Sequence, residues 1–268
     1  MLHLVNSNKG KRNFNEISTT NGAYWKELFK TSEDSLTSSV FGLLFYLPPE
    51  LFWSILRSSC YTNELPKHVG RILSYEFWPR WGNAQETFTE PDIYIEFEGI
   101  SVIIEAKKSD YNQQNINQWI AEVNSYFKSI DTDNKAVFVV AVGGIRKGDE
   151  EATHLQVPNV PKPTTVVKTR WRQLLSEILK THKEIERTSR LLYNNAPLMN
   201  ILKDLILAFR IHGFLTAALF NTFPVNTQLS SYTLETIKIP PRLKPFSNFA
   251  LNLLFIKNSS IKIFIQQI

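Results

Sequence analysis

Residues 90–108 read EPDIYIEFEGISVIIEAKK and put acids and a lysine at spacings that strand geometry can bring together. Glu98-Gly99 suits a two-residue turn between two strands. With the hairpin centred there, Phe97 faces Ile100, Ile95 faces Val102, Ile93 faces Ile104 and Asp92 faces Glu105, with Lys107 opposite Glu90. Side chains alternate across a sheet. One face then carries Ile93, Ile95, Phe97, Ile100, Val102 and Ile104, all apolar. The other carries Glu90, Asp92, Tyr94, Glu96, Ser101, Ile103, Glu105 and Lys107. A slip of one residue would scramble this partition, so the pattern itself selects the register.

That register has a chemical consequence. Directly opposed residues hold their Cβ atoms roughly 4.5–5.5 Å apart, where like charges repel. Asp92 against Glu105 adds nothing to a sheet unless a cation lies between them. Magnesium suits the pair, because it takes oxygen ligands and commonly uses one or two carboxylates with water and substrate phosphate. Lys107 shares the face of Glu105. Its ammonium could hold an attacking water or offset charge developing on a phosphodiester. A single Glu-x-Lys on a strand is usually a solvated face. Here Pro-Asp, a hairpin and Glu-Ala-Lys fall in register, and that combination favours a site.

The surrounding chain supplies elements to position the hairpin. Ser32 is a candidate N-cap, and Glu33 and Asp34 suit the positive end of a helix dipole. Leu36, Val40, Leu43, Leu44 and Leu47 recur at helical spacing until Pro48-Pro49. A second helix is expected over residues 50–57, strands over 87–97 and 100–107, and a helix over 113–127 with Ile116, Ile120, Val123 and Phe127 on one side. Residues 136–142 are continuously apolar, as in a strand buried on both faces, and Gly143-Gly144 close it. A short strand over 164–168 precedes an amphipathic helix over 171–185, whose Leu174, Leu175, Ile178 and Leu179 face inward. A last helix is expected from Pro197 to about residue 210, stopped by Gly213. This order predicts an α/β (α+β) fold with a mixed central sheet flanked by helices. The expected divisions are a polar segment at 1–22, a core at 23–185 and a mainly helical C-terminal extension and tail at 186–268.

Composition narrows the class. The formal charge of +5 permits a polyanionic partner without requiring one. Cys60 is the only cysteine, which excludes an intrachain disulfide and suits a reducing compartment. The histidines are too scattered for a local zinc motif. Lys9, Lys11 and Arg12 have no apolar run behind them, and no run reaches membrane-spanning length, so a cytoplasmic protein without membrane contact is expected. The glycine loop lacks Gly-Lys-Ser/Thr, which argues against a nucleotide hydrolase.

Pro91-Asp92, a spacer and Glu105-Ala106-Lys107 resemble the PD-(D/E)xK signature of restriction-endonuclease-like phosphodiesterases, over roughly residues 30–180. The resemblance implies a restriction-endonuclease-like core and hydrolysis of nucleic acid, DNA first. By the same resemblance Asp92 and Glu105 bind magnesium, with manganese able to substitute. Ala106 lends its backbone carbonyl and Lys107 assists the nucleophile. Many members add an acid on the first helix. Glu33 is the candidate, on the stripe of Leu36 and Val40, although it equally suits the helix N-terminus. Gln118 is the candidate for orienting substrate or water, against an ordinary exposed glutamine. The exonuclease-like branch sets Gln four residues before Tyr, whereas here Glu122 stands four before Tyr126. Arg170 and Arg172 could track a phosphate strand, with Trp171 between them a core anchor. Arg146 and Lys147 are weaker candidates for the DNA backbone, and Lys108 could touch a phosphate if its strand ends early. Ser32-Glu33-Asp34 with Leu36-Thr37 and Val40-Phe41-Gly42 is similar to bacterial members of the superfamily, which implies restriction or phage defence. The alternatives are a non-catalytic module that binds nucleic acid or a partner, and a subunit of a larger defence complex. A homodimer or a partner subunit is compatible with each.

Overall fold

The computed structural model describes residues 32–82, 88–130, 135–158, 160, 163–189 and 195–214. The N-terminal segment expected at 1–22 and the tail beyond 214 lie outside them. Two helices come first, α1 (Glu33–Leu44) and α2 (Pro49–Ser59). Strands β1 (Ile72–Phe77), β2 (Ile93–Phe97) and β3 (Ile100–Ala106) follow, then α3 (Ile116–Ser129). The rest is β4 (Ala136–Val142), β5 (Thr153–Leu155), β6 (Thr164–Thr169), α4 (Trp171–Ser189) and α5 (Ala196–Ile211). The strands form one sheet in the order β1-β2-β3-β4-β6-β5. β3, β4 and β6 are mutually parallel, and the other neighbours are antiparallel. The fold is therefore mixed α/β, with a mixed sheet between helices.

Local chemistry accounts for the elements. Ser32 caps α1, its hydroxyl accepting the N–H of Ser35 at 3.3 Å. Leu36, Val40, Phe41 and Leu44 of α1 are fully buried. Each such side chain contributes about 1.5–3 kcal/mol of transfer free energy. The inner strands alternate cleanly. Ile93, Ile95, Phe97, Ile100, Val102 and Ile104 all enter the larger core, with α1, α2, α4 and α5. Tyr94, Ile103, Val137, Val139, Ala141 and Val166 enter the smaller core on the other face, beneath α3. β4 alternates between the two, as a strand covered on both faces must.

Three details depart from expectation. Residues 72–77 form an edge strand that sequence pattern did not mark, since Leu73, Ser74, Tyr75 and Glu76 are all exposed and no alternation survives. The buried stripe of α3 is Trp119, Glu122, Val123 and Tyr126. Ile116, expected inside, is 47% exposed, because the wide aromatic residues claim the space over the sheet. The boundary expected at 185/186 falls inside α4, and α5 is not a separate appendage. Leu202, Leu205 and Phe209 join the larger core, and Phe209 meets Trp171 edge-on at 6.1 Å. Among the described residues no helix is long and apolar enough to cross a membrane.

Candidate active site

The β2–β3 ladder pairs Ile93 with Ile104, Tyr94 with Ile103, Ile95 with Val102 and Glu96 with Ser101, the register expected from the partition of apolar residues. Extending it by one residue sets Asp92 alongside Glu105. Asp92 Oδ2 accepts the N–H of Ala106 at 2.8 Å, which fixes the carboxylate at the end of β3. Asp92 is 8% exposed and Glu105 is 2% exposed. The second oxygen of Asp92 accepts the indole N–H of Trp78 at 3.3 Å. Trp78 holds φ of +52° at the end of β1, and its own N–H donates to the Asp92 carbonyl at 2.9 Å. Left-handed backbone in a non-glycine residue costs on the order of 1 kcal/mol. Here it turns the indole toward the acid.

Lys107 follows directly from β3, and its ammonium bonds to Glu105 Oε1. Glu33 Oε1 lies 3.9 Å from the same ammonium, and Glu33 Oε2 accepts the N–H of Lys108 at 2.7 Å. The first turn of α1 is thereby tied to the end of β3. Four residues singled out from sequence, Glu33, Asp92, Glu105 and Lys107, meet in one place, with Ala106 between the last two. Gln118 stands one step away. It is half-buried, and its Nε2 donates to Glu122 Oε1 at 3.0 Å rather than facing solvent.

Glu122 is the residue that sequence reasoning passed over. It is 2% exposed, and among the described residues no hydrogen-bond donor reaches Glu122 Oε2. Its carboxyl lies against that of Glu105. The available signal was an acid at position four before Tyr126, on the same stripe as Trp119. Gln114 was also unmarked. Its Nε2 donates to the carbonyls of Glu105 at 3.0 Å and Gly143 at 3.2 Å, and its Oε1 accepts the Trp119 indole at 2.8 Å.

Burial and crowding set the electrostatics. Burial first, then the neighbouring Glu105, hold Asp92 well above the usual carboxylate range. The same causes in the same order raise Glu122. Burial raises Glu33, against the opposing pull of the Lys108 N–H and the Lys107 ammonium. Burial would lower Lys107, but Glu105, Glu33 and Asp92 together leave it above its ordinary value. Such a cluster is short of positive charge.

Other basic residues are differently engaged. Arg170 does not present a free guanidinium to a phosphate strand. It donates to Tyr61 Oη at 2.6 Å and to Glu150 Oε1 at 2.8 Å, and it is 9% exposed. Arg172 is exposed, with Nε 3.4 Å from Asp110. Arg146 and Lys147 lie exposed in the loop after β4. Trp171 is a core anchor, fully buried.

Among the described residues no group of three or more His, Cys, Asp or Glu side chains stands ready to hold a metal ion. Asp92, just before β2, and Glu105, on β3, are two buried carboxylates, and magnesium often binds through two carboxylates, completing its shell with water and phosphate. In kind and number the residues fit magnesium.

Comparison with known proteins adds little to this geometry. No family model matches the chain, and no solved structure matches it. The uncharacterized protein PM0110 of Pasteurella multocida (strain Pm70) is 32% identical over 122 residues. The match takes in 45% of this chain and 45% of that protein, so the chain spans less than half the length of the curated relative it matches.

Proposed function

We propose that this chain is a metal-dependent deoxyribonuclease of the PD-(D/E)xK type, hydrolysing phosphodiester bonds at Asp92, Glu105 and Lys107. The observation that carries the reading is the meeting of two buried acids, one just before β2 and one on β3, with a lysine ammonium and little else to offset their charge. Asp92 and Glu105, with the backbone carbonyl of Ala106, are the groups that would hold magnesium. Bound there, the ion would supply positive charge against the phosphate and lower the pKa of a coordinated water.

The chain's own groups have separate tasks. The surrounding acids raise Lys107 above its ordinary value, which suits it to serve as a hydrogen-bond donor and point charge. It can hold the attacking water or a non-bridging phosphate oxygen. Glu33 lies near the far side of that ammonium and limits its swing. Gln118 fixes one oxygen of Glu122, which in turn faces Glu105. Gln118 therefore acts through Glu122 rather than on substrate. A place in restriction or phage defence belongs to the same proposal, supported by the likeness of the first helix to bacterial members of the superfamily. Action as a homodimer or beside a partner subunit is compatible with it.

The test is direct. Purified protein is incubated with supercoiled plasmid and linear DNA, in magnesium or in chelator, beside Asp92→Ala and Lys107→Ala. Cutting that needs magnesium and is lost in both variants supports the reading. Equal cutting by all three proteins rejects the site. DNA bound but cut by none points to the non-catalytic module.

A further inference from the structure

The loop leaving Lys107 carries an exposed aromatic ring for which the proposed hydrolysis has no use. Tyr111 lies four residues beyond Lys107, so their Cα atoms are at most about 14 Å apart. It is 49% exposed. A tyrosine on a loop usually keeps its rotamer freedom and gives that freedom up on binding. Tyr111 is already held. The guanidinium of Arg170 lies 4.7 Å from its ring centroid. Arg170 is fixed in turn by Tyr61 Oη at 2.6 Å, the Ile145 carbonyl at 3.2 Å and Glu150 at 2.8 Å.

The backbone on both sides is anchored as well. The N–H of Tyr111 donates to Ser109 Oγ at 3.2 Å. The N–H groups of Gln113 and Gln114 both donate to the carbonyl of Gly144, at 2.9 and 3.1 Å. One side of the ring is thus backed by a fixed cation while about half of the residue stays open to solvent. Lys108 stands three residues before Tyr111. Arg172, whose side chain is 75% exposed, stands beside the same loop through its Nε on Asp110. A preorganised ring with cations beside it is the composition of a surface that stacks an unpaired base and follows its backbone.

We infer that Tyr111 is a stacking platform for an unpaired base of single-stranded DNA next to the scissile phosphate. The inference rests on the nuclease reading for its position, and it narrows the substrate to single strands or frayed ends. Bases within a duplex are stacked on both faces and offer no ring to Tyr111.

The experiment measures binding in chelator, so that cutting does not intrude. Fluorescence anisotropy compares a labelled single-stranded oligodeoxynucleotide with a blunt hairpin of equal charge whose loop is a non-nucleotide linker, for the wild type, Tyr111→Ala, Tyr111→Phe and Tyr111→Trp. Tyr111→Ala should weaken single-strand binding about tenfold, the worth of one stacked base. Tyr111→Phe and Tyr111→Trp should stay within about twofold of the wild type, and hairpin binding should not move. An unchanged single-strand affinity in Tyr111→Ala, an equal loss on the hairpin, or no single-strand binding by the wild type overturns the inference. The ring is exposed, so thermal midpoints should confirm that all variants fold. The two readings fail separately. Loss of single-strand binding in Tyr111→Ala, with Asp92→Ala still cutting, would keep the platform and remove the active site. An inactive Asp92→Ala with a normally binding Tyr111→Ala would do the reverse.

Discussion

The indole N–H of Trp171 donates to the carbonyl oxygen of Lys107 at 2.7 Å. On its other side Lys107 donates its own N–H to the carbonyl of Val142 at 2.8 Å. The backbone of the lysine is therefore pinned between the end of β4 and the first residue of α4, before its side chain meets any acid. Gly143 makes this closeness possible. Its φ is +70°, and a Cβ there would overlap the Lys107 carbonyl oxygen and come within 3.0 Å of the Trp171 ring. Gly143→Ala should cost about 2–4 kcal/mol, from strained backbone and forced displacement together. Trp171→Phe keeps most of the packing and strands one buried acceptor, for about 1–3 kcal/mol. Urea unfolding checks both values. Both variants should also cut DNA more slowly than their residual folded fraction explains, since the pinned lysine is loosened.

Glu122 gives a prediction of opposite sign. Its folded pKa is raised above the ordinary 4.5 by burial and by Glu105. A raised carboxyl costs stability once the pH exceeds its unfolded value, and the cost grows until the folded value is passed. Glu122→Gln removes that cost. The amide can donate to Glu105, while its carbonyl keeps the bond from Gln118 Nε2. The variant should be more stable than the wild type by about 1–2 kcal/mol at pH 8. The advantage should shrink toward zero near pH 4, where Glu122 is neutral in both states. Thermal midpoints across that range decide it, and a variant less stable at pH 8 would contradict the crowded-acid account.

Metal binding should be coupled to proton release. Asp92 is held well above the usual carboxylate range, first by burial and then by Glu105. A ligand must be deprotonated, so protons held in the cluster leave when a divalent cation enters. Magnesium affinity should rise with pH through the range in which the buried carboxyls lose their protons. Calorimetry in buffers of different ionisation enthalpy should show protons released, and Asp92→Ala should bind magnesium weakly and release fewer. Affinity that falls as pH rises would contradict this.

How much of this was legible in sequence depends on range. The hairpin was readable because alternation of apolar residues from Ile93 to Ile104 admits one register, and that register sets Asp92 against Glu105. Ser32 announced α1 by its side chain, and the run from Ala136 to Val142 announced a strand covered on both faces. Local pattern could not show that β1 lies at the sheet edge, where exposure removes the alternation that betrays a strand. Nor could it show that Arg170 is spent on Tyr61 and Glu150, which are 109 and 20 residues distant. Glu122 was hidden for another reason. Pattern counting scores an acid on a helix as its outer face, whereas here the stripe around Trp119 and Tyr126 carries it inward toward Glu105.

Asp110 supplies a last prediction, because it joins the loop after β3 to the start of α4. Its Oδ1 accepts the N–H of Trp171 at 2.8 Å, so it takes the place of an N-cap side chain although it is 61 residues away. Its carboxyl lies above the ordinary range through burial, opposed by the Trp171 N–H and by Arg172. By the same sign argument its ionised form is slightly unfavourable in the folded state, so charge is not what makes it useful. The acceptor oxygen is. Asp110→Ala should therefore lose about 1–2 kcal/mol, the worth of a helix cap, with the loss largest at acid pH where the wild-type carboxyl is neutral in both states. Asp110→Asn keeps an acceptor and should lose much less, with its relative standing improving as pH rises from the unfolded-state pKa to the raised folded value and constant above it. Because Trp171 also holds the Lys107 carbonyl, the alanine variant should weaken DNA cleavage more than the asparagine variant does. Equal losses in stability for the two substitutions would show that the carboxylate charge, through Arg172, matters more than the cap.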